Sequence, residues 1–160
     1  MRWLAPILFF SLACGAGPEQ EDAEAYVTAM QPALSQNAAL AQRFLTDASQ
    51  VKKHETDGGK LAEELSRDLA PSADALSKTV AGIQPAEMPL RDAHAIIVQA
   101  WSDRAAAYGS MRDAWAAGDL AAWDAAMKKN TQSKLDEERY FTEVNRYLGQ
   151  YQLGVDQFPD

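Results

Sequence analysis

The chain is 160 residues long, 47% hydrophobic and 24% charged, with a formal net charge of −8 and one cysteine. That balance suits one folded domain with its own core. The acidic surplus argues against nucleic-acid binding and against a domain lying flat on anionic lipid, since both need clustered Lys and Arg. A lone cysteine excludes an internal disulfide and a thiolate metal cluster.

The N-terminus opens with Met1-Arg2 and then an apolar run from Trp3 to Ala13. One positive charge, about ten apolar residues and then small residues form the pattern of a secretory signal. The run is too short to span a bilayer, which takes roughly 20 apolar residues. At Ser11-Leu12-Ala13-Cys14-Gly15 the chain resembles a bacterial lipoprotein precursor, with Ser11 where that class usually carries Leu. The resemblance covers residues 1–15. It implies cleavage before Cys14, acylation of that cysteine and, from Gly15 in the next position, sorting to the outer membrane. An ordinary secretory cut nearby is the alternative. The chain then divides into a signal peptide (1–13), an anchor cysteine with its tether (14–20), a helical domain (21–151) and a tail (152–160). Fully extended, Gly15 to Gln20 reach roughly 20 Å, which holds the domain close to the membrane.

Abundant alanine and few β-branched residues favour helix. The first helical stripe comprises Tyr26, Met30, Ala33, Asn37, Leu40, Phe44, Ala48 and Val51, recurring in steps of three and four. Pro32 lies inside it and predicts a kink. Lys52, Lys53 and His54 suit the end of the helix, and Asp57-Gly58-Gly59 reads as a turn. The second stripe, Leu61, Leu65, Leu69, Leu76, Val80 and Ile83, is interrupted at Pro71, where a kink or a split is expected, and stops at Gly82.

Pro89 opens the third pattern, whose stripe is Leu90, His94, Ile97, Trp101, Arg104 or Ala105, Tyr108, Met111 and Trp115. Gly118 ends it and Asp119 caps the fourth. That last stripe reads Leu120, Trp123, Met127, Asn130, Lys134, Glu137 or Glu138, Phe141, Val144, Leu148 and Tyr151. Short links between amphipathic patterns predict an all-α, antiparallel up-down-up-down four-helix bundle with proline kinks in helices 1 and 2. The tail either frays or packs through Leu153, Val155 and Phe158.

The sequence has no Glu-x-x-His or His-x-x-x-His pair, no glycine-rich phosphate loop and no haem attachment motif. It therefore reads as a non-enzyme with no metal centre and no cofactor. His94 falls on an apolar stripe near the level of Glu143, either as a ligand or pH-sensitive pair, or as a hydrogen-bonded histidine at the bundle end. Arg104 with Glu137, joined by Asn130, forms a candidate polar layer or ligand cavity; otherwise these side chains face water while smaller neighbours fill the core. Trp115 and Trp123 flank the Gly118 turn as core residues or, if exposed, as a protein-docking tip. The leading expectation is a membrane-tethered envelope module that binds another protein. The alternative is a ligand- or metal-sensing bundle with its pocket around His94 and Arg104.

Overall fold

The computed structural model describes residues 17–53 and 58–156, apart from the side chain of Lys52. The leader, Cys14, His54, Asp57 and Phe158, on which expectations were placed, lie outside the described residues. Those residues are almost wholly helical and carry no strand: α1 (Pro18–Lys52), α2 (Gly58–Glu64), a π turn (Leu65–Leu69), α3 (Ala70–Ala81), α4 (Met88–Ala117), α5 (Leu120–Leu148) and a closing 3₁₀ turn (Gly149–Tyr151). The backbone stays right-handed helical at Glu64 and Ala70. The chain from Gly58 to Ala81 is thus one helical segment, and the described residues form a bundle of four such segments. No helix among the described residues is long and apolar enough to cross a membrane.

Local chemistry accounts for the ends. Pro18 starts α1, with Glu19 and Glu21 in its first turn facing the positive end of the helix dipole. The expected glycine turn is not a turn: Gly58 and Gly59 already belong to α2. A Cβ at Gly58 would run into the Trp115 ring, which would have to swing aside. α1 runs on through Pro32. The π turn sits directly before Pro71, and its wider winding lets the Ala70 N–H reach the Leu65 carbonyl where the proline ring interrupts ordinary α bonding. Gly118 takes the left-handed conformation (φ 67°), and Asp119 accepts from the Ala122 N–H at 2.9 Å, so α4 ends and α5 begins within two residues.

Two apolar clusters form the core. One gathers Tyr26, Met30, Val80, Ile97 and Leu148; the other gathers Phe44, Leu65, Leu69, Tyr108 and Met111. The tail packs over the first, where Val155 is buried and its backbone N–H and C=O are both held by the Asn145 amide at 2.8 and 3.0 Å.

The stripes expected for α1 and α4 are the buried ones as far as Phe44 and Met111, whereas Trp115 is 42% exposed. The first half of α5 departs from expectation. Its inward face carries Ala126, Ser133, Glu137 and Tyr140, while Leu120 and Leu135 face solvent. Close approach of α5 to α4 needs small side chains on the facing side, so Ser133 takes the core position, and Asn130 and Lys134, which the three-four spacing put on the stripe, lie to one side of it.

Candidate functional site

Two buried polar layers cross this core. The first is built from α1, α4 and α5. Arg104 donates through Nη2 to Glu137 Oε2 and through Nη1 to Asn37 Oδ1, each at 2.6 Å. Asn37 Nδ2 donates to Glu137 Oε1 at 2.5 Å, and Trp101 Nε1 donates to the same oxygen at 3.0 Å. Beside them the Ser133 hydroxyl donates to the Ala100 carbonyl at 2.8 Å. All of these residues are buried. A carboxylate so far from water needs a counter-charge and a donor for each oxygen, and Glu137 has both.

The second layer joins every helical segment. The Val80 carbonyl can only accept, so His94 Nε2, 3.0 Å away, carries the ring proton. Nδ1 is then bare and accepts from Tyr26 Oη at 3.1 Å, and Tyr26 in turn accepts from Tyr140 Oη at 3.0 Å. The chain of donation runs one way, from Tyr140 (α5) to Tyr26 (α1) to His94 (α4) to Val80 (α3). Burial pushes both tyrosines above their usual value and pushes His94 below its own, against the pull of the Val80 and Ile83 carbonyls.

The structure brings Arg104 and Glu137 together and places Asn130 nearby on the wall of a groove. It does not bring His94 to them. Nor does His94 pair with Glu143, whose carboxylate is held by Arg146 at 2.7 Å. No group of three or more His, Cys, Asp or Glu side chains converges as a metal site among the described residues. Asn37, Tyr26 and Tyr140 complete the layers without having been singled out from sequence. Asn37 was the one polar member of an otherwise apolar α1 stripe, which is the signal that would have marked it.

A groove of about 380 Å³ opens between α1 and α5. Its floor includes Asn37, Arg104, Glu137 and Tyr108; Ala41, Phe44 and Met127 line its walls, with Asn130 and Lys134 on the α5 side. A larger hollow of about 530 Å³ lies between the start of α4 and the end of α5, and the Glu143–Arg146 pair on its wall satisfies itself.

At the Gly118 turn, Trp115 and Trp123 meet edge to face with centroids 6.0 Å apart. Trp123 is half-buried, Trp115 is 42% exposed and Leu120 beside them is 74% exposed. No family model, curated protein or solved structure matches this chain, so what it does is read from its own residues.

Proposed function

We propose that the protein is a non-enzymatic envelope module, tethered by a lipid on Cys14 to the outer membrane, that binds another protein through the Trp115–Leu120–Trp123 tip. The observation that carries this reading is the exposed apolar tip, since aromatic side chains left in water at a rigid turn are the usual anchors of an interface. We read the bundle as antiparallel up-down-up-down, with kinks at Pro32 and Pro71. Its support is the order of contacts: Tyr26–His94, Asn37–Arg104 and Phe44–Tyr108 advance together along α1 and α4. Trp115–Trp123 and Trp101–Glu137 run in opposite senses along α4 and α5. In this arrangement the 35 residues of α1, about 50 Å of helix at 1.5 Å per residue, separate the tether from the tip.

The test is fractionation and in-cell crosslinking of the wild type beside Cys14→Ala and Trp115→Ser/Leu120→Ser. The tethered reading expects Cys14→Ala to leave the membrane fraction and the tip variant to stay there without its crosslinked partner. A Cys14→Ala protein that remains membrane-bound removes the anchor, and a tip variant that keeps the partner removes the docking surface.

A second reading, a ligand-sensing bundle, is favoured by one observation at the groove. Tyr108 is buried and its hydroxyl has no hydrogen-bond partner among the described residues, where every side-chain N or O closed off from solvent has one. The hydroxyl therefore opens on the groove that Tyr108 lines. This moves the pocket away from His94, whose ring nitrogens are both engaged.

A further inference from the structure

We infer that the groove between α1 and α5 binds a small amphipathic carboxylate, a hydrocarbon or aromatic body ending in one acid group. The inference rests on the ligand-sensing reading and names the class of ligand. It is independent of whether Cys14 is acylated.

The shape comes from α1. Ala38, Ala41 and Ala48 follow one another at helical spacing along the groove, and their short side chains leave a trough between the helices. Phe44, Leu45 and Met127 give it apolar walls, and Leu45 stays 56% exposed because nothing in the described chain covers it. A volume of about 380 Å³ lies within the range of small-molecule sites.

The sign of the ligand comes from which polar groups remain free. Glu137 is the only carboxylate on the lining, and both its oxygens are taken, Oε1 by Asn37 and Trp101 and Oε2 by Arg104. A cationic ligand would find no carboxylate there that is not already paired with Arg104. Three lining side chains have no partner among the described residues, the Lys134 ammonium, the Asn130 amide and the Tyr108 hydroxyl, and all three can donate, while the Gln42 amide at the rim donates to Thr46 Oγ1 at 3.5 Å and keeps its carbonyl free. Arg104 and Lys134 against Glu137 leave the lining one positive charge in excess, on a chain whose net charge is −8. Tyr108 is set in place by its stack on Phe44, with centroids 4.8 Å apart and planes 24° apart. Burial pushes its pKa up to about 12, with Arg104 opposing the rise and Glu137 adding to it, so it meets a carboxylate as a proton donor. The apolar body then lies over Phe44, Leu45 and Met127, and the acid group reaches Tyr108, Asn130 and Lys134.

The test is calorimetric titration of the purified full chain with octanoate, octylammonium and methyl octanoate, which share a tail and differ at the head. The inference expects saturable one-site binding of octanoate and binding of the other two weaker by about tenfold or more. Tyr108→Phe should weaken octanoate by roughly tenfold, and exposed Lys134→Gln by a few-fold. Ala41→Trp, with helical content unchanged by circular dichroism, should abolish it. Met88→Ser, exposed at the start of α4 and absent from the groove lining, should leave it unchanged. If all three probes bind alike, or if Tyr108→Phe and Lys134→Gln both bind octanoate as the wild type does, the carboxylate class is overturned while the groove survives as an apolar site. If none of the probes binds, the groove reading falls with it.

Discussion

Replacing Arg104 by Met is the most direct test of the polar layer. The substitution roughly keeps the buried volume and removes the charge. Glu137 is then left as a buried carboxylate with only Asn37 and Trp101 as donors, and Asn37 Oδ1 loses its partner. Stripping the counter-charge from a buried ion pair costs about 3–5 kcal/mol. For a chain of this size that corresponds to a fall in Tm of roughly 6–20 °C. The triple variant Asn37→Leu/Arg104→Met/Glu137→Leu removes the whole network at once. It leaves only the Trp101 N–H without its acceptor, at a cost of about 1–3 kcal/mol. Urea unfolding followed by far-UV circular dichroism should therefore rank the triple variant as more stable than the single one. A single variant that loses less than about 1 kcal/mol, or a triple variant less stable than the single, would refute the assignment of a charged, fully bonded layer.

Two further outcomes follow from the second layer and from the turn. His94 is held neutral, with its affinity for a proton lowered by burial, so the unfolded chain takes up that proton first. Stability should be full above the ordinary histidine value of 6.5 and fall as pH drops from there toward the lower folded-state value. The difference between wild-type and His94→Gln unfolding curves across that window measures the effect, and parallel profiles would contradict it. At the turn, nothing lies within 4 Å of a Cβ built on Gly118, whose φ is 67°. Gly118→Ala should thus cost only backbone strain, about 1–2 kcal/mol, with Gly118→Asn milder. Chemical denaturation of the two variants checks the order.

The helices were readable because their apolar residues recur in threes and fours, and α4 shows how far that goes. His94 and Arg104 could be put on the inner face from spacing alone, since Leu90 and Ile97 bracket the first and Trp101 and Tyr108 the second. Spacing could not say what they touch. The partner of His94 is Tyr26, 68 positions away, and only packing decides that Tyr26 rather than Glu143 reaches it. α5 was misphased for a different reason. Leu120, Trp123 and Met127 look like a core stripe, but the approach of α4 favours the smaller Ala126 and Ser133, and the larger residues are displaced to the tip and the groove. The π turn before Pro71 was half visible: proline announces an interruption, and the way the backbone resolves it depends on the packing of Leu65 and Leu69.

The hydroxyl chain from Tyr140 to Val80 also bears on how the molecule comes apart. It acts as a single stitch through all four helical segments, so peeling any one of them away cuts it and exposes polar groups that the other three had shared. An intermediate with α1 detached and the rest intact would have to leave Tyr140 and His94 without their common neighbour in an apolar cluster. Such a state is expensive, and the bundle should open as one cooperative unit. The slowest amide protons should then be found on α1, α3, α4 and α5 alike around Tyr26, Val80, His94 and Tyr140, rather than on the α4–α5 hairpin alone.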